Sequence, residues 1–188
     1  MTTNPPPTKN QIGSTIESVL DNEQALKFFA EYLQTELSGE NLAFWDAVRF
    51  YKTRFDDDKA TWDILIVLAE GVYDQFLTDR SDMWINAPAE KVHAAREFLI
   101  EANRMSSPKK EQIRALKGVF DSLVVEVIQM MKLNSFPKFQ QSRFYKSMVA
   151  EIHHDDVEDL KESGLVELTP TVHPAPRAGS RAFIERDV

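Results

Sequence analysis

Every long segment of this chain repeats its apolar residues at spacings of three and four, and none sustains a spacing of two. Such a chain is built to bury one face of successive helices. Ala25, Phe28, Phe29, Tyr32 and Leu33 fall at i, i+3, i+4, i+7 and i+8. After a break at Glu36-Leu37-Ser38-Gly39, Phe44, Val48, Tyr51 and Phe55 continue the pattern. Ser38 is expected to cap the new helix, with Glu40 placing negative charge in its first turn. Asp56-Asp57-Asp58 reads as the acidic start of a further helix that puts Trp62, Leu65, Ala69, Val72 and Phe76 on one face. Thr78 to Pro88 loses periodicity and reads as a loop; Val92, Ala95, Leu99 and Ala102 then restore the stripe.

Ser106-Ser107-Pro108 is the next break. Ile113, Leu116 and Phe120 suit one helix beyond it, and Leu123, Val124, Val127, Ile128 and Met131 suit another or its continuation. Leu133-Asn134-Ser135-Phe136-Pro137 interrupts the pattern. Pro137 lacks an amide hydrogen and is tolerated in a first turn, so Asn134 or Ser135 is expected to cap a last helix reaching about Ile152. With no hairpin signal anywhere, the expectation is an all-α bundle.

Residues 1–13 carry Pro5-Pro6-Pro7 without periodicity and read as a flexible leader; residues 14–152 form one domain; residues 153–188 are acidic, then Pro-containing, and read as a disordered tail. A content of 43% hydrophobic and 28% charged residues with only 6 Gly fits a soluble helical domain and excludes fibrous classes. The absence of Cys removes disulfides, thiol nucleophiles and thiolate metal sites, and fits a reducing cytosol. Met1 is followed by Thr-Thr-Asn-Pro, with neither the basic and apolar regions of a secretion signal nor the glycine that myristoylation needs. The longest uncharged apolar run, Ile64 to Ala69, is too short to cross a bilayer. A net charge of −8 repels phosphate backbones, so no nucleic-acid partner is expected.

An active site of its own would require a nucleophile beside a base, paired carboxylates, a metal cluster or a phosphate-cradling loop. No Gly-rich phosphate loop, Gly-x-Ser-x-Gly or His-Glu-x-x-His is present. His153-His154-Asp155-Asp156 holds ligand chemistry, but adjacent residues on a helix point about 100° apart and do not converge, so it reads as a solvated helix end. No catalytic group, metal or cofactor is expected. Val127 to Ala150 contains no acid yet holds Lys132, Lys138, Arg143 and Lys146. This stretch is either an attractive surface for an acidic partner or anionic lipid, or a set of ordinary solvated helix faces. Phe136, Phe139, Phe144 and Tyr145 read as core packing, as do Trp45 and Trp62, whereas Trp84 in the non-periodic loop can serve either as core or as surface.

Glu36-x-Ser38-x-Glu40-Asn41-Leu42-x-Phe44-Trp45 followed by Tyr51-Lys52 resembles the signature of the regulator of G-protein signalling (RGS) family. Val72-Tyr73-x-x-Phe76, Ile85-Asn86, Phe120-Asp121 and Ser135-Phe136-Pro137-x-Phe139-x-x-Ser142-x-x-Tyr145 recur in family order, from about Thr15 to Val149. The resemblance implies an RGS-type bundle of about nine short helices. It also implies a GTPase-activating protein for heterotrimeric G-protein α subunits, which is not itself an enzyme. The α subunit carries its own arginine finger and water-positioning Gln, so the activator need only hold the switch segments in the shape suited to the transition state. A monomer in the cytoplasm, recruited to the plasma membrane with the α subunit and making at most weak membrane contact, is expected. The alternatives are an RGS-homology scaffold, or a membrane-associated module, without activating power.

By the same resemblance, the contact residues for the α subunit are Glu36, Leu37, Ser38, Glu40, Asn41, Asn86, Met130, Asn134, Ser135 and Lys138. Asn41 matches the asparagine whose neutral carboxamide approaches the catalytic Gln of the α subunit, offering both a donor and an acceptor. Asn86 matches a second loop asparagine, followed by a longer spacing to Arg96 than is usual. Asn134 stands where Asp is commoner, which replaces a charge-assisted bond with a neutral one. Lys138 stands where Arg is usual and lacks the bidentate fork. Leu37 occupies a position often Tyr.

Overall fold

The computed structural model describes residues 12–162, and side chains through residue 152. Among them are nine α-helical segments and no strand: α1 Ile16–Leu20, α2 Glu23–Thr35, α3 Glu40–Thr53, α4 Trp62–Phe76, α5 Ala89–Asn103, α6 Lys110–Lys117, α7 Asp121–Met130, α8 Phe136–Gln141 and α9 Arg143–Glu162. A 3-10 turn, Arg54–Asp56, follows α3, and a π turn, Met131–Ser135, joins α7 to α8. The chain divides into two units, 1–153 and 154–188. The expected leader up to residue 11 and the expected tail beyond Glu162 lie outside the described residues.

Polar residues with short side chains set several helix starts. Thr15 and Ser18 form a reciprocal capping box, the Ser18 amide donating to Thr15 Oγ1 at 3.1 Å and the Thr15 amide to Ser18 Oγ at 3.2 Å. Asn22 Oδ1 accepts from the Ala25 amide at 2.8 Å to open α2, and Thr61 Oγ1 accepts from Ile64 to open α4. Three boundaries differ from the sequence expectation. Gly39, not Ser38, is the N-cap of α3 and makes no side-chain cap bond. The triplet Asp56-Asp57-Asp58 does not begin a helix: Asp57 turns back to accept from Arg54 Nη2 at 2.7 Å and from the Lys59 amide, and α4 starts after it at Trp62. Leu133 to Pro137 stays helical, and neither Asn134 nor Ser135 caps by its side chain. Pro137 would clash with the carbonyl four residues back in a regular helix, and the wider π turn just before it relieves that conflict. The helix then breaks at Ser142, whose Oγ accepts from the Tyr145 amide at 3.2 Å and opens α9, which continues past Ile152.

The core of the first unit is aromatic. Phe44, fully buried on α3, meets Phe76 of α4 edge-on at 5.6 Å between centroids and Phe120, just before α7, at 6.2 Å. Phe139 of α8 packs on Phe29 at 5.1 Å and Tyr32 at 5.6 Å from α2, and on Tyr145 of α9 at 5.5 Å. Edge-to-face pairs of this kind contribute about 0.5–1.5 kcal/mol beyond the area they bury. Tyr51 is buried against Phe55 and Phe120, and its hydroxyl donates to the Leu116 carbonyl at 2.7 Å, joining α3 to α6. Burial, with the Asp121 carboxylate nearby, pushes the Tyr51 hydroxyl well above its ordinary range, so it remains a neutral donor. Trp45 and Trp62 sit at the margin instead of the core. Arg49 lies over the Trp45 ring at 5.4 Å, and Trp62 Nε1 donates to the Ala102 carbonyl at 3.3 Å. Ile113 likewise lies on the outer side of α6.

Residues before Thr15 also belong to the bundle. Ile12 packs against the core, and Gly13 adopts φ +88°, with its amide donating to Ser18 Oγ at 3.0 Å. A Cβ at residue 13 would stand 2.6 Å from Met148 Cε, the movable end of a flexible side chain, and 3.3 Å from the Tyr145 ring, so glycine is favoured there chiefly by its left-handed dihedral.

Candidate partner-contact face

Three connections hold the residues singled out in the sequence: α2–α3, α4–α5 and the π turn between α7 and α8. Glu36 is the C-cap of α2. The Leu37 amide then donates to the Gln34 carbonyl at 3.3 Å and the Ser38 amide to the Leu33 carbonyl at 3.1 Å, which is the Schellman pattern. In that pattern residue 37 must take a left-handed conformation, and it does, at φ +51°. Glycine is the usual occupant; a leucine there brings its Cβ against the following carbonyl at a cost of about 1–2 kcal/mol. Leu37 recovers none of this by packing, since it is 94% exposed. Replacing Leu37 by Gly is therefore expected to raise stability by about 1 kcal/mol in urea denaturation. The strained, solvated side chain is the kind of local inconsistency that functional positions carry.

Ser38 and Glu40 are half-buried at the entrance to α3, and Glu40 Oε1 accepts from Asn41 Nδ2 at 3.2 Å. The other end of that carboxamide is the unusual one: Asn41 Oδ1 is buried and accepts no hydrogen bond among the described residues. A buried acceptor without a donor costs about 1–3 kcal/mol, so this oxygen is a poised acceptor.

Helix α8, which follows the π turn, packs on α2 beside the α2–α3 connection. Beneath it, Phe136 and Phe139 stack on Phe29, and Phe139 and Phe144 on Tyr32. Above them Lys138 Nζ stands 3.8 Å from Glu36 Oε2. Burial, together with the Glu36 carboxylate, raises the pKa of the Tyr32 hydroxyl. Asn134 is exposed, Ser135 half-buried, and Met130 closes α7 with its side chain packed on the core. Lys132 reaches back to Glu17 of α1 at 3.2 Å and braces the turn from the other side.

Asn86 is exposed at the apex of a three-residue turn, with the Ala87 amide donating to the Ile85 carbonyl at 3.1 Å. Ile85 is fully buried, and its amide donates to the Phe76 carbonyl at 3.0 Å. Phe76 in turn packs on Phe44, one turn after Asn41. The structure thus joins Glu36 directly to Lys138, and joins the Asn86 loop to the start of α3 through Phe76 and Phe44. No hydrogen bond or ion pair among the described residues links Asn86 itself to the other positions.

Two features escaped sequence reasoning. The left-handed Leu37 is signalled only by the absence of glycine after a helix that must turn back, and the orphaned Asn41 oxygen has no sequence signature. The basic stretch also changes meaning. Of its four cations, Lys132 and Lys138 face the carboxylates of Glu17 and Glu36, so part of its charge is balanced locally, while Arg143 lies over the neutral Phe144 ring at 5.0 Å and keeps its charge. Trp84, 48% exposed, lines a groove with Tyr73, His93 and Arg96 and is surface, not core.

The described residues thus form an all-helical bundle whose strained Leu37 and unpaired Asn41 oxygen lie together at the α2–α3 connection. The chain belongs to the Regulator of G protein signaling domain family, whose model matches residues 15–148. It is 25% identical over 140 residues to Regulator of G-protein signaling 1 of Xenopus laevis, covering 74% of this chain and 60% of that protein. It is 24% identical over 135 residues to Regulator of G-protein signaling 8 of Danio rerio, covering 72% and 67%. With Regulator of G-protein signaling 1 of Equus caballus it shares 26% over 142 residues, covering 76% and 63%. The chain thus spans about 60% of the length of the first of these relatives.

Proposed function

We propose that this chain accelerates GTP hydrolysis on a heterotrimeric G-protein α subunit, gripping its switch segments in their transition-state shape and donating no reacting group. The observation that carries the reading is the buried, unpaired Oδ1 of Asn41 beside the strained Leu37 and the Glu36–Lys138 pair. Turning the half-buried Asn41 side chain outward would carry that oxygen to an N–H donor of the partner, and the bond is specific if the donor stands there only in the hydrolytic geometry. The side-chain amide of the partner's water-positioning Gln is such a donor, and a carboxamide can orient it without taking a proton from the attacking water. Leu37, Ser38, Glu40, Asn86, Met130, Asn134, Ser135 and Lys138 complete the grip, which operates where α subunits are held, at the cytoplasmic face of the plasma membrane.

Each tenfold of acceleration requires about 1.4 kcal/mol of preferential affinity for the transition state. The test is single-turnover GTP hydrolysis on a panel of α subunits, paired with binding to α subunit loaded with GDP and aluminium fluoride or with a GTP analogue. Acceleration on at least one α subunit and tighter binding to the fluoride form are expected. Equal binding to both forms with no acceleration on any α subunit would leave a scaffold in place of an activator.

A further inference from the structure

Helix α4 carries more apolar surface than the core uses. Leu65, Ile66, Ala69, Val72, Tyr73 and Phe76 face the bundle. Within the same uncharged run that the sequence displays from Ile64 to Ala69, Ile64 is 46% and Val67 66% exposed, and Leu68 is half-buried. With Gly71 these residues fall at i, i+3, i+4 and i+7, which is a second stripe, its Ile64, Val67 and Gly71 exposed and its Leu68 edge packed on the core.

Gly71 sharpens the point. A glycine inside a helix is less stable than alanine, and nothing lies within 4 Å of where a Cβ at residue 71 would stand, so no contact within the chain requires it. A glycine that weakens its helix and relieves no internal crowding fits the close approach of a backbone from outside. The charge beside the stripe is one-sided as well. Asp63, Glu70 and Asp74 fall at i, i+7 and i+11 in a row along the flank of Val67. Glu70 accepts from Asn103 Nδ2 at 3.1 Å, while no cation among the described residues pairs with Asp63 or Asp74.

We propose that this face of α4 is a docking site for an amphipathic helix of a partner protein whose apolar stripe is flanked on one side by Lys or Arg. The apolar strip supplies the buried area, Gly71 admits the partner backbone, and the carboxylate row sets polarity and register. The same row repels anionic lipid, which argues against a membrane as the occupant. None of these residues belongs to the three connections that form the candidate contact face, so the site stands beyond the proposed GTPase-activating role.

The probe is a fluorescently labelled amphipathic peptide of about 18 residues made of Leu and Lys, long enough to form a helix on binding, read by anisotropy against the full chain. A Leu/Glu peptide of the same pattern and a scrambled Leu/Lys peptide are run beside it. Binding of the patterned Leu/Lys peptide at least about tenfold tighter than either control is expected. Val67→Glu and Gly71→Leu should each weaken it about tenfold or more, Asp63→Lys with Asp74→Lys should reverse the preference toward Leu/Glu, and melting curves should show every variant folded. Gly71→Ala, the mildest change, should raise Tm by about 2–4 °C while still weakening the peptide. GTP hydrolysis on the α subunit should be unchanged in Val67→Glu, which separates this site from the contact face. Equal binding of the three peptides, indifference to Val67→Glu and Gly71→Leu, or sedimentation showing that the face pairs with a second copy of the chain would overturn the proposal.

Discussion

Asn41→Ala is expected to lower the acceleration of single-turnover GTP hydrolysis by roughly 30- to 150-fold, the equivalent of about 2–3 kcal/mol of hydrogen bonding present only in the transition-state complex. The same substitution should not destabilise the isolated domain. It removes a buried acceptor that has no donor, and it places the best helix former in the first turn of α3. What it loses within the chain is one bond to Glu40, at the half-exposed edge. Opposite signs for activity and stability are therefore the signature, read by a hydrolysis time course and a urea melt on one preparation. If both fall together, Asn41 is holding the helix start and the proposed role is wrong. Leu37→Gly, argued above, should show the same opposition in milder form, because its strain is likewise relieved by removing a solvated side chain.

Phe44→Ala is expected to cost about 3–5 kcal/mol of folding free energy, since it empties a fully buried aromatic site bounded by Phe76 and Phe120. Domains of this size have about 5–15 kcal/mol in total, so the variant should remain folded at low temperature with a much reduced urea midpoint. Activity should fall further than the folded fraction does. The Phe76 carbonyl anchors Ile85, and a cavity at Phe44 loosens the support of the Asn86 turn as well as the start of α3. Phe44→Leu, which keeps most of the volume, should recover the greater part of both losses. A cost under about 1 kcal/mol for the alanine variant, measured by urea denaturation, would show that the site collapses without strain and that the Asn86 turn and the start of α3 are not coupled through it.

The helices were legible because burial leaves a periodic trace. Ala25, Phe29, Tyr32 and Leu33 are buried at the spacings the sequence displays, with Phe28 half-buried beside them. Boundaries were less legible because caps compete. Ser38 has the right chemistry to cap α3, but it is taken up in the turn that closes α2, and the helix begins one residue later with Gly39 as its N-cap. Asp56-Asp57-Asp58 has the composition of a helix start, yet Asp57 finds Arg54 and Lys59 closer at hand. Pro137 and its neighbours resemble a break, since one-dimensional patterns do not distinguish a helix that ends from one that widens by a residue. In the candidate site, the residue types and their order along the chain could be read from the sequence. The 3.8 Å approach of Lys138 to Glu36 and the burial of one end of the Asn41 carboxamide could not, because both are set by packing between distant segments.

The widened turn between Met131 and Ser135 has a consequence for how such a surface can change. One surplus residue lets α7 and α8 each keep their apolar side inward while the side chains between them swing out of phase with both. Leu133 and Asn134 are thereby released from the jigsaw of the interior, so substitution there alters what the molecule presents to others and leaves its architecture untouched. The exposed surface at that spot can change one residue at a time, and stability does not have to change with it.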